Sequence, residues 1–96
     1  MRLWLDDRRP APPGWVQAWS YEEARQIIED RGPEIAEVSL DHDLVPAHHD
    51  GDYSDGQTGY DVLALLIEHG LRPKIQIHTM NAEGFQRLTD LLESLD

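Results

Sequence analysis

Cysteine is absent from the 96 residues, which removes disulfides, thiolate metal sites and cysteine nucleophiles together. Lysine occurs once, as Lys74. No apolar run is longer than residues 62–67, far short of the roughly 20 residues that a membrane span needs. The opening Met1-Arg2-Leu3-Trp4-Leu5-Asp6-Asp7 has three apolar residues followed by two acids, which does not fit a secretion signal. The cytoplasm is the expected location. Positive charge is missing from the whole middle of the chain. No Lys or Arg lies between Arg31 and Arg72, an interval that holds Glu34, Glu37, Asp41, Asp43, Asp50, Asp61 and Glu68. With 8 Lys and Arg against 19 Asp and Glu, the net charge is −11. Such a surface repels duplex nucleic acid, so no extended nucleic-acid surface is expected. An RNA partner would have to be met at a small end group or through a bound cation.

What is present is an alternation of short strands and helices in a chain the size of one small domain, residues 1–96. Residues 2–6 read as a buried strand around Leu3 and Leu5 that ends in acids. Pro10, Pro12 and Pro13 exclude a helix next, and residues 15–19 read as a second strand. Ser20 and Glu23 have capping-box spacing ahead of a helix that carries Ala24, Ile27 and Ile28 on one face. Residues 36–41, a long polar loop over residues 41–57, a helix after Thr58, a strand at 74–79 and a helix after Asn81 complete the chain. His48-His49-Asp50 in the loop reads as solvated. Trp15, Trp19 and Tyr21 are expected to pack.

The order β-β-α-β-α-β-α predicts an α/β fold: three layers around a mostly parallel sheet of about four strands. Ligands of such sheets sit beyond the carboxyl ends of the strands. Here the first strand ends in Asp6-Asp7, the third in Asp41-His42-Asp43 and the fourth in His78-Thr79, with Asn81 two residues on. Carboxylates gathered at one edge repel each other unless a cation neutralises them, and hard oxygen donors suit Mg²⁺ or Mn²⁺.

These residues resemble the response-regulator receiver domain. In that family an acidic pair like Asp6-Asp7 and an aspartate placed like Asp41 hold Mg²⁺, and a Thr or Ser placed like Thr79 contacts the phosphoryl group. Two features depart from it: no lysine follows the last strand, and the Pro-rich segment replaces the helix between the first two strands. The chain is more similar to a divergent branch, the cyclic-phosphate-processing receiver-like domain. That pattern is met by Leu5-Asp6-Asp7-Arg8-Arg9-Pro10, by Ser39-Leu40-Asp41-His42-Asp43-Leu44, by Gly59-Tyr60-Asp61 and by Ile75-Gln76-Ile77-His78-Thr79-Met80-Asn81, with Arg9 at the family's Arg position. The resemblance implies metal-assisted hydrolysis of cyclic phosphate ends of RNA or nucleotides by a divalent-metal-dependent phosphoesterase.

Opening a cyclic phosphodiester needs an attacking water, charge stabilisation on the phosphate and a proton for the leaving oxygen. Asp6, Asp7 and Asp41 are the expected metal ligands. His42 and His78 are the expected acid and base, with Asp43 as the third catalytic candidate. Arg9, Thr79 and Asn81, with the free amides of the last helix, are the expected phosphate contacts. The alternative is a non-catalytic receiver-like module that binds phosphate or a protein partner. The oligomeric state is left open.

Overall fold

Strand β1 (Arg2–Leu5) alternates, and its Leu3 and Leu5 have no exposed surface. It pairs in parallel with β2 (Val16–Ala18) on one side and β3 (Glu37–Leu40) on the other, and β3 pairs in parallel with β4 (Lys74–Ile77). The sheet order is β2-β1-β3-β4, parallel throughout where a mostly parallel sheet was expected. The computed structural model describes residues 1–52, 54 and 56–95; Tyr53 and Asp55, in the polar loop, lie outside the described residues.

Register decides which side chains share a face. Leu3 lies between Val16 and Val38, Leu5 between Ala18 and Leu40, and Ile75 and Ile77 continue the rows on β4. Onto this apolar face pack Ala24 and Ile28 of α1 (Tyr21–Arg31), Val62, Leu63 and Leu66 of α3 (Gly59–Glu68) and Leu88 of α4 (Ala82–Glu93), all in one buried cluster. Helix α3 lies between α1 and α4 and touches both. No helix among the described residues is long and apolar enough to cross a membrane.

The opposite face carries Arg2, Trp4, Glu37, Ser39 and Gln76. Its cover, the third layer, is the Pro-rich segment rather than a helix. The Trp4 indole N–H donates to the Arg9 carbonyl at 3.1 Å, and Trp15 stands edge-on to Trp4 at 5.8 Å. Gln17 ties the same segment down, accepting from the Ala11 N–H and donating to the Asp6 carbonyl. Trp15 and Tyr21 pack as expected, while Trp19 remains 43% exposed.

Helix caps follow the sequence closely. Ser20 accepts from the Glu23 N–H, although the Glu23 carboxylate takes the N–H of Trp19 rather than that of the cap itself. Thr58 and Asp61 form a complete capping box on α3. The polar loop contains one element that was not foreseen, the single turn α2 (Pro46–His49). Pro46 pre-sets its first residue, and His48, buried, accepts the Leu44 N–H on Nδ1. His48 is thus a structural imidazole, which corrects the solvated reading.

Gly59 fixes how α3 leaves the loop. A Cβ there would stand 1.9 Å from the Asp41 carbonyl oxygen, a backbone atom that cannot step aside. Gly59→Ala should therefore cost about 3 kcal/mol or more, the upper end of overpacking, and lower the melting temperature by more than about 10 °C. Gly14→Ala is the control. Its φ of +89° faces open space, so only about 1–2 kcal/mol of backbone strain is expected. Equal melting temperatures for the two variants would refute the close-approach argument.

Candidate functional site

The ladder continues for one bond past β1, β3 and β4. Asp6 N–H donates to Ala18, Asp41 N–H to Leu5 and His78 N–H to Leu40. The first residue after each of these strands is thereby pinned, and two of the three are acids. Asp6 is 1% exposed and Asp41 5%. With Asp7 they bring one carboxylate oxygen each within 4.8 Å of one another, so the structure gathers the three expected metal ligands.

The three carboxylates are satisfied very unequally. Asp6 Oδ1 accepts the N–H groups of Arg8 and Arg9, both at 2.8 Å, and Oδ2 faces Arg9 Nε and His78 Nε2, both at 3.1 Å. Burial pushes the Asp6 carboxyl up, but these donors outweigh it and hold it below the usual range. Asp41 is pushed up to about 6, first by burial and then by the charge of Asp6; the Thr79 hydroxyl and the His42 N–H offset only part of this. Asp7 Oδ1 is buried with no hydrogen-bond partner among the described residues. An oxygen-only donor set with one orphaned oxygen and one carboxyl disfavoured as an anion fits a hard divalent cation.

The two histidines expected to be catalytic are brought to this edge but not into the cleft. His78 lies flat on Trp4 at 4.0 Å, with Nδ1 2.7 Å from Ser39 Oγ and Nε2 on Asp6. Ile75 and Ile77 point to the core, so His78 falls on the other face of the sheet. His42 is fully buried: Nδ1 is 2.8 Å from Asp43 Oδ1, and Arg87 approaches Nε2 at 2.6 Å. Burial lowers the pKa of both imidazoles, against the pull of Asp6 on one and Asp43 on the other. Both are held neutral with both ring nitrogens engaged.

Asn81 also differs from its expected role. Its Oδ1 already accepts from Glu83 N–H and Gly84 N–H, so those amides are not open to phosphate. Its amide nitrogen donates to both oxygens of Asp43. Arg9 is committed as well, to Asp6 and, through Nη2, to the His78 carbonyl at 2.8 Å.

A cleft of about 390 Å³ opens at Asp6 and Asp41 of the acidic trio. Asp6, Asp41, Asp43 and Thr79 line it, as expected, and so does Arg9. Three residues that sequence reasoning did not select line it too: Arg8, His49 and Met80. His49 sits between two carboxylates, with Nε2 3.3 Å from Asp7 Oδ2 and Nδ1 3.5 Å from Asp43 Oδ2. A Pro at position 46 was the available signal, because one helical turn there sends His48 inward and His49 out.

The sequence model of a family described as the cyclic-phosphate processing receiver domain matches residues 1–94. No curated protein and no solved structure matches the chain.

Asp41 supplies a direct test of the site. With its carboxyl at about 6 when folded and 3.8 as the reference, the folded chain keeps a proton that the unfolded chain has released between these values. Stability of the metal-free protein therefore falls as pH rises through that window, by about 3 kcal/mol once complete. In EDTA at pH 8, Asp41→Asn should melt higher than the parent, and the gain should vanish below about pH 4. Millimolar Mg²⁺ or Mn²⁺ should stabilise the parent more than the variant. A lower metal-free melting temperature for Asp41→Asn at pH 8 would contradict the assignment.

Proposed function

The chain belongs to the cyclic-phosphate processing receiver domain family, and from that premise we propose that it hydrolyses cyclic phosphate ends of RNA or nucleotides with the help of a divalent cation. One observation carries the reading: three carboxylates meet at one edge with an oxygen of each within 4.8 Å of the others, and one of their oxygens is buried with no hydrogen-bond partner among the described residues.

Asp6, Asp7 and Asp41 are the residues that would hold Mg²⁺ or Mn²⁺. When bound, the cation supplies charge neutralisation on the phosphate and a more acidic water. The chain's own residues do the rest. Water attacks phosphorus, the bond to one ribose oxygen breaks, and that oxygen must receive a proton. His49 is the imidazole that lines the cleft, and its Nε2 is the atom placed to pass that proton. Asp43, held by His42 and Asn81, fixes the other nitrogen of the His49 ring. His78 and Arg9 act one step away, keeping Asp6 ionised and aimed. Thr79, on the cleft wall beside Asp41, offers a hydroxyl to the phosphate.

The assay is release of a 2′- or 3′-monophosphate from a 2′,3′-cyclic nucleotide or a cyclic-ended oligoribonucleotide, with Mg²⁺ or Mn²⁺. His49→Ala should cut turnover by about 10²-fold or more while leaving the melting temperature nearly unchanged. His42→Ala should lower the melting temperature, since it removes a hydrogen-bond partner of the buried Asp43 carboxylate and leaves a cavity beside it. If the folded parent turns over none of these substrates with either metal, the non-catalytic binding module replaces this reading.

A further inference from the structure

Two cleft side chains have no part in the chemistry above. Arg8 is exposed at the cleft wall, and among the described residues its guanidinium makes no hydrogen bond or ion pair. Arg9 beside it is tied to Asp6 and to the His78 carbonyl, so Arg8 is the cation of this wall left to meet an anion. Met80 is 89% exposed although apolar, and it stands between the cleft and a neighbouring groove, lining both.

The neighbouring groove has a different chemistry. Asp43, Asp50 and Glu83 line it, and no Lys or Arg among the described residues does. It turns away a second phosphate but accepts an uncharged ring. A thioether at its rim is a soft, polarisable surface suited to the face of a heterocycle. A ligand that spans both features carries its phosphate under Arg8 and a flat, neutral group across Met80.

We propose that Arg8 and Met80 make the cleft a recognition site for a single terminal nucleotide, with Arg8 holding the phosphate and Met80 carrying the base into the acid-lined groove. The proposal rests on the cyclic-phosphate reading and narrows it to the end nucleotide. A cleft of about 390 Å³ lies at the small end of small-molecule sites and suits one nucleotide better than a strand. The preceding phosphodiesters of an RNA would lie outside, away from the acidic groove.

The test uses stable products of the proposed reaction. Adenosine 3′-monophosphate, ribose 3-phosphate and adenosine are titrated calorimetrically into the intact protein with Mg²⁺. The parent should bind adenosine 3′-monophosphate about three- to tenfold more tightly than ribose 3-phosphate. Met80→Ala should erase that preference without changing ribose 3-phosphate affinity, and Met80→Leu should keep most of it. Arg8→Ala should weaken both phosphates about tenfold and leave adenosine unaffected. Equal affinity of the parent for the two phosphates, no effect of Arg8→Ala, or no binding of either phosphate overturns the proposal. If Arg8 and Met80 behave as stated while cyclic substrates are not turned over, the recognition site stands and the hydrolytic reading falls.

Discussion

A buried carboxylate with four donors around it organises this molecule. Asp6 sits at the carboxyl end of the central strand at 1% exposure, and an ion there is tolerable only because Arg8, Arg9 and His78 all turn toward it. The donors are themselves fixed in a closed ring. Arg9 holds the His78 carbonyl, His78 stacks on Trp4, and the Trp4 indole returns to the Arg9 carbonyl. This ring locks the Pro-rich segment onto the sheet. It does with side chains what a crossover helix does with packing, and so a sheet with helices on one face only can still bury the back of its central strand.

A second network surrounds another buried carboxylate of the cleft lining. Asp43 is gripped by His42 and Asn81, and Arg87 approaches His42 from α4 while lying over the Tyr60 ring of α3 at 4.8 Å. The network joins the end of β3 to two helices, and it is tightly packed at His42. A Cβ on Gly84 would meet the His42 ring at 2.5 Å. The two conspicuous histidines thus serve as braces, one for Asp6 and one for Asp43, and both of the carboxylates they brace line the cleft.

The division between what was legible in the sequence and what was not follows from this. Strand alternation, the caps at Ser20, Thr58 and Asn81, and the acids closing the first and third strands identify the α/β order and the edge where the site lies. Those signals are local. The roles of His42 and His78 were not legible, because reaching the right edge is a property of sequence position, whereas facing the cleft depends on what already occupies each ring nitrogen. For His78 part of the answer was available: with Ile75 and Ile77 inward, parity sends His78 to the far face. For His49 and His48 the reading turned on one unforeseen turn of helix, since neighbours that look alike in a loop diverge by about 100° on a helix. Arg8 and Arg9 are equivalent by composition. The family pattern singles out Arg9, and its tertiary commitment to Asp6 shows what separates it from Arg8.

The same logic ranks the acids of the site. Asp6 and Asp41 are neighbours on adjacent strands, comparably buried, yet one carboxyl is held below the usual range and the other raised to about 6. Burial raises both, and more strongly at Asp41, while the donors at Asp6 reverse its effect. Asp6 has four, and Asp41 has the His42 N–H and the Thr79 hydroxyl against the charge of Asp6. Asp7 has one oxygen facing His49 and one with no hydrogen-bond partner among the described residues. Capacity for an incoming cation therefore increases from Asp6 to Asp41 to Asp7. Asp6, whose oxygens already accept four donors, is the anchor that sets the geometry and raises its neighbour. Asp41 and Asp7 are the carboxylates whose electrostatics improve when positive charge arrives. A site built this way keeps the raised Asp41 carboxyl at a cleft whose lining also carries the guanidinium of Arg8.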